Sequence, residues 1–164
     1  MIHLVMVIAL VMPDTARCTW EGRLPERGAH QPAVSRPSQM TRLTRVFRTG
    51  SKNDRLYAVR SMGAIGDLSA MPVLIEAAAD TNKHVSLEAV WALGRMQDSR
   101  VAPILLNALR SPDSQVQQAA ACGLGRAGNT RSLRALSELL SSTNVFVASA
   151  ARWSIEQIKS NPGG

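Results

Sequence analysis

Apolar positions recur with helical spacing through the C-terminal two-thirds of the chain. In "VSLEAVWALGRM", Val85, Ala89, Leu93 and Met96 fall on one stripe at a period near 3.6 residues, which predicts a helix from about Val85 to Met96. A shorter apolar run follows, "VAPILLNAL" from Val101 to Leu109. Pro103 suits its first turn, where N–H groups have no helical partner. Between the two runs stand Asp67, Asp98 or Asn129, short polar side chains of the kind that satisfy free N–H groups at a helix start. Gly66 in one copy and Gly128 in another suit the left-handed conformation after a helix end, with Gln97 in the central copy. "DTN", "SPD" and "STN" then read as turns.

The pattern repeats at an offset of 31 residues. Gly63, Gly94 and Gly125 share it, as do Ala58, Ala89, Ala120 and Ala151, and then Met62, Leu93, Leu124 and Ile155. Val85, Val116 and Val147 form another column, Asn82, Asp113 and Asn144 a further one, and Pro72 and Pro103 a pair. A period of this size signals stacked modules that each leave an apolar face for a neighbour to cover. The fold expected is an all-α solenoid of antiparallel helix pairs over 39–160. Its predicted parts are a half repeat at 40–50, full repeats at 54–80, 84–111 and 115–142, and a half repeat at 146–160, with a tail at 161–164. "MTRLTRVFR" places Leu43 in register with Leu74.

Glycine inside a helix costs about 1 kcal/mol relative to alanine, so three glycines in register need a cause. The expectation is that the two helices of one pair approach most closely there, where no side chain fits. The small columns Ala58/Ala89/Ala120/Ala151 and Ser61/Ala92/Gly123/Ser154 point the same way. Closer dispersion contact would offset the lost propensity. The alternative is that the glycines only soften the helix end.

Composition sharpens this reading. The chain of 164 residues carries a net charge of +7, unevenly placed. Residues 1–53 hold eight Lys/Arg against three Asp/Glu, whereas 54–164 hold eleven against nine. The first twelve residues, "MIHLVMVIALVM", are too short for an ordinary transmembrane helix. They match a signal-peptide core in length but lack a preceding positive residue, and "PDTARC" is a poor cleavage site. Export through residues 1–16 and a cytoplasmic location both stay open. The following "RLPERGAHQPAVSRPSQ" reads as a disordered basic linker, so 1–38 stands apart from the repeats. Cys18 and Cys122 do not indicate a disulfide framework; Cys122 reads as a small buried hydrophobe.

The succession "ALGRMQDSRVAPILLNAL" (Ala92 to Leu109), with looser copies before and after, resembles the short HEAT-like repeats of the phycobilin lyase type. The resemblance spans roughly 40–160 and implies an α-solenoid. Its functional range covers scaffolds, regulators and a few enzymes. The family often has Arg after the valine of the first helix, where this chain has Ser86, Gln117 and Ala148, so an Asp–Arg ladder would rest on Asp67 and Asp98 with weaker donors.

Some proteins with HEAT-like repeats are di-iron hydroxylases, whose repeated His-Glu dipeptides hold the metal; here His3, His30 and His84 are not followed by Glu, so that reading fails. His84 stands in a turn, as a solvated histidine would. "GLGRAG" lies in a helical pattern without the preceding strand that a dinucleotide fingerprint needs. Trp91 and Trp153 share a column with Arg60 and Cys122 and read as packing residues. No catalytic residue, metal or cofactor is therefore expected.

The remaining candidates lie on the second helices, the usual binding surface of such arrays. They are Glu76, Asn107, Arg110, Arg134 and Glu138, with Arg100 and Arg131 on the turn ridge. Their mixed sign argues against a nucleic-acid groove. The expectation is a non-enzymatic scaffold that binds another protein. One alternative is nucleic-acid or anionic-surface binding through Arg36, Arg42, Arg45, Arg48 and Lys52; a second is a bilin-lyase-like activity. Self-association through the terminal half repeats, with Trp153, Ile155 and Ile158, is also open.

Overall fold

A computed structural model describes residues 36–96, 98–127 and 130–160. The apolar N-terminal run, most of the expected linker, Gln97, Gly128, Asn129 and the tail lie outside the described residues.

Among the described residues the chain is all-α. The helices, in order, are α1 (Arg36–Thr49), α2 (Lys52–Ile65), α3 (Met71–Ala78), α4 (Lys83–Arg95), α5 (Ala102–Ala108), α6 (Ser114–Ala127), α7 (Leu133–Glu138) and α8 (Val145–Ser160). Single 3-10 turns precede α3, α5 and α7. Helix α1 starts at Arg36, inside the stretch read as linker.

The even-numbered helices stack on one another in sequence order, α2 on α4 on α6 on α8. Each odd-numbered helix packs chiefly on the even-numbered helix that follows it. The compact hairpins are therefore α1–α2, α3–α4, α5–α6 and α7–α8. The even-numbered helices, which open each 31-residue unit, are first-type and the odd-numbered ones second-type, and the last first-type helix, α8, rests on both α6 and α7. This is an α-solenoid.

Local signals in the sequence set the element ends. Asn82, Asp113 and Asn144 each accept a hydrogen bond from the backbone N–H two residues on, at 3.0, 2.8 and 3.0 Å, opening α4, α6 and α8. Asp67 and Asp98 do the same for the 3-10 turns, both at 2.8 Å. Pro72 and Pro103 sit in the first turns of α3 and α5. Gly66 ends α2 with φ of 67°, its N–H donating to the Met62 carbonyl.

The repeat columns are the core. Ala58, Ala89, Ala120 and Ala151 are fully buried, as are Met62, Leu93 and Leu124 on the first-type helices and Leu74, Leu105 and Leu136 on the second. Leu43 is buried in the α1 position that corresponds to Leu74.

The interior glycines occupy a different contact from the expected one. They do not separate the two helices of a hairpin; they let successive first-type helices touch. A β-carbon on Gly63 would lie 2.9 Å from Ala92 Cβ. On Gly94 it would lie 2.7 Å from Gly123 Cα, and on Gly125 2.8 Å from Ser154 Cα. The glycine column of one unit thus abuts the small column of the next (Ala92, Gly123, Ser154). The Ser154 hydroxyl completes the last contact by donating to the Ala121 carbonyl at 2.8 Å.

Candidate functional site

Short second-type helices do most of their packing against the following first-type helix, and between themselves they leave space. Between α3 and α5 this space is an open cleft of about 580 Å³. Ile75, Ala78 and Ala79 form one wall, and Pro103, Ile104 and Ala108 the other. Ser86, Ser111 and Val116 complete it, and Asn107 and Arg110 supply its remaining polar groups. The alanines explain the volume: longer side chains at the end of α3 would fill it.

The two hydroxyls of the cleft are committed. Ser86 Oγ donates to the Ala78 carbonyl at 2.7 Å, and Ser111 Oγ accepts from the Asp113 N–H at 3.2 Å. Among the described residues, the side chains of Asn107 and Arg110 enter no hydrogen bond or ion pair. Among the described residues, no carboxylate lines the cleft. The site therefore offers an aliphatic surface, a carboxamide able to donate and accept, and one cation.

The other residues singled out from sequence are dispersed. Glu76, exposed on α3, meets Arg48 of α1 at 3.5 Å. Arg100 folds back on Asp98, with Nη2 to Oδ2 at 2.8 Å; the Arg100 guanidinium and then its backbone N–H bring the Asp98 carboxyl down to about 2. Arg134 and Glu138 pair along α7 at 3.8 Å, both exposed. Arg131 is exposed in the 3-10 turn before α7. Asn107 and Arg110 are thus the two candidates that the structure brings to one cavity. Gly63, Gly94, Gly125, Asp67 and Asp98 hold the structural positions described above.

Two ion pairs lie outside the residues singled out from sequence. Arg55 grips Asp80 with Nε at 2.7 Å and Nη2 at 3.1 Å, and the Asp80 side chain is only 7% exposed. That guanidinium holds the Asp80 carboxyl below the usual range against the opposing effect of burial, helped by the Asn82 N–H. Arg60 meets the buried Glu88 at 2.6 Å, tying α2 to α4. A signal existed for each: the Glu88 column continues as Ala119 and Ala150, and the Asp80 column as Ser111 and Ser142, so both acids depart from their repeats. The capping box of Ser51 and Asp54 was equally readable in "SKND".

Trp91 and Trp153 are half-buried against the core. Cys122 is fully buried in α6, as its reading as a small buried residue expects. The chain's other cysteine, Cys18, lies outside the described residues. Nearby on the first-type helices, the half-buried Arg126 has its pKa lowered by burial and then by the Arg95 charge. Among the described residues, no group of three or more His, Cys, Asp and Glu side chains is placed to hold a metal ion. No described helix is long and apolar enough to cross a membrane.

Comparison with known proteins agrees with the architecture. No curated protein is similar enough in sequence to count as a match. Among solved structures, the complex of CpcE and CpcF of phycocyanin lyase from Nostoc sp. PCC7120 superposes with a TM-score of 0.67 at 20% identity, over 88% of this chain and 60% of that one. Human deoxyhypusine hydroxylase in complex with glycerol superposes with a TM-score of 0.64 at 20% identity, over 76% of this chain and 44% of that one. The chain thus spans less than two-thirds of the length of either, and at this identity the likeness is one of fold. The family model of HEAT repeats matches residues 41–121 and 102–163. Family model, helix order and 31-residue columns agree, and the chain belongs to the HEAT-repeat family.

Proposed function

We propose that this HEAT-repeat chain is a non-enzymatic scaffold that binds another protein on its second-helix face, seated at the α3–α5 cleft. The observation that carries this reading is the cleft itself, an aliphatic surface whose two remaining polar side chains have no partner among the described residues. Pockets that are mostly apolar with a few convergent polar groups are where ligands bind. The fold-related Nostoc chain is in complex with a second protein, which supports the same use of this fold.

The test is site-specific photocrosslinking in the native lysate. A crosslinker at Ile75 or Asn107 should yield a discrete protein adduct, and one at the exposed Arg152 of α8 should not. Equal labelling from all three positions, or no adduct from the cleft together with turnover of a tetrapyrrole substrate, overturns the reading.

A second reading has its own observation. Helix α1 exposes Arg42, Arg45 and Arg48 at three-residue spacing, a basic strip with Lys52 exposed just beyond it. Binding of a polyanion there would weaken steeply with salt. A mobility shift at low salt that is lost on changing Arg42 and Arg45 to glutamine supports this use, and no shift at low salt excludes it.

A further inference from the structure

We infer that the occupant of the α3–α5 cleft is a peptide segment of the partner carrying a bulky aliphatic side chain next to a carboxylate. This rests on the scaffold reading and names the chemistry of its ligand.

Four observations select the peptide. The walls are aliphatic, from Ile75, Pro103 and Ile104, so an aliphatic side chain gains the most by leaving water there. Among the described residues no aromatic ring lines the cleft, so none of them stacks on a planar pigment or base. The Asn107 carboxamide carries a donor and an acceptor, the complement of one peptide unit. Arg110 is exposed, without a carboxylate partner among the described residues, and no acid lines the cavity with it.

Charge sets the polarity of the motif. Beside the cleft, Arg48 meets Glu76 on one side and Arg134 meets Glu138 on the other, while Asp113 just beyond it accepts from the Gln115 N–H. Among the described residues that line the cleft, Arg110 is the charged one. Its guanidinium fork suits a carboxylate, and like-charged segments are disfavoured at the same place. The column of position 110 reads Arg48, Ala79, Arg110 and Ser141. Neither Ala79 nor Ser141 has a charge, so stacking of the array does not require one.

The experiment uses the full chain and short fluorescent peptides with a Leu-Leu core flanked by aspartate, by serine or by lysine. Fluorescence polarisation should rank aspartate above serine above lysine, with about fivefold between the first two at low salt, the upper range for an exposed ion pair. Arg110→Glu should reverse that order, and Ile104→Asp should abolish binding of all three sets. Ile104→Ala, which should only weaken binding, is the second variant if the aspartate disturbs the fold; circular dichroism reports that directly. Equal binding of the three sets, or an order that Arg110→Glu leaves unchanged, overturns the inference. If no peptide binds while crosslinks from Asn107 still form, the peptide motif fails and the scaffold reading stands. If neither occurs, both fall.

Discussion

Replacing Gly94 by alanine tests the packing account most directly. In an isolated helix this change is favourable by about 1 kcal/mol. In this array the new β-carbon would lie 2.7 Å from Gly123 Cα and 3.5 Å from Gly123 N. Carbon atoms rest at about 3.5–4.0 Å from one another, so α4 and α6 must part by about 1 Å to admit the methyl group. The obstructing atoms are backbone, and no rotamer change can relieve them. Overpacking of this kind costs about 1–3 kcal/mol, and the separation also loosens contacts along the whole α4–α6 interface. The net expectation is destabilisation by about 1–2 kcal/mol, read as a melting temperature lower by about 3–8 °C. Far-ultraviolet circular dichroism during urea and thermal denaturation measures it. Gly123→Ala probes the same gap from the other side, because its β-carbon would lie 2.8 Å from Gly94 Cα; it would also meet Leu105 Cδ1 at 2.9 Å, the end of a side chain that can shift. Once one methyl group has widened the gap, the second meets less resistance, so the double variant should be less destabilised than the sum by at least about 0.5 kcal/mol. A Gly94→Ala protein that melts higher than the parent, or strict additivity in the pair, would refute the reasoning.

The other predictions concern the ends of the helices and the array. The folded-state pKa of Asp80 lies below its ordinary value, so its contribution to stability is present above the unfolded pKa and is lost as pH falls through the folded one. Urea midpoints should therefore drop as pH is lowered below about 4, and Asp80→Asn should flatten that drop while lowering stability at neutral pH. Asn82→Ala removes the cap of α4 and should cost about 1 kcal/mol, measurable as a urea midpoint shift at unchanged slope. In α8, Arg152 replaces the fully buried column Val59, Val90 and Ala121, and Glu156 replaces the interior glycines, both exposed. Arg152→Val with Glu156→Gly should raise self-association in sedimentation velocity; a wild-type dimer abolished by changing Glu156 to arginine would contradict that.

Much of the fold was legible because stacking repeats its demands. Every unit needs the same small residue at the same place, so Ala58 to Ala151 and Leu74 to Leu136 appear as columns, and Asp67 and Asp98 cap as their type implies. Which helix met the glycines was not legible. Periodicity gives a position around a helix but not the identity of its neighbour, and the fact that Gly94 touches Gly123 rather than its hairpin partner comes from three-dimensional stacking. Asp80 and Glu88 escaped notice for the opposite reason, since each occurs in one copy only. The cleft was the least visible feature. It arises from what is missing at Ala78, Ala79 and Ala108, and an alanine in an alanine-rich helix gives no sign of the space beside it.

These differences divide the labour within the array. First-type helices are bound by near-contact of their backbones, so their facing columns tolerate little beyond Gly, Ala and Ser. Second-type helices touch the next first-type helix and have few contacts with one another, so their outward columns are under no such constraint. Glu76, Asn107 and Glu138 share one column, and Ala79, Arg110 and Ser141 another. Both change chemical type between copies, whereas Leu74, Leu105 and Leu136 do not change at all. Positions that repeat answer to the stack; positions that vary are available for recognition. Where α1 faces α3, variation has placed an Arg48–Glu76 pair, and where α3 faces α5 it has left alanines and a lone arginine. The same scaffold therefore neutralises one inter-helix gap and leaves the next apolar and charged, which is the asymmetry a directional ligand requires.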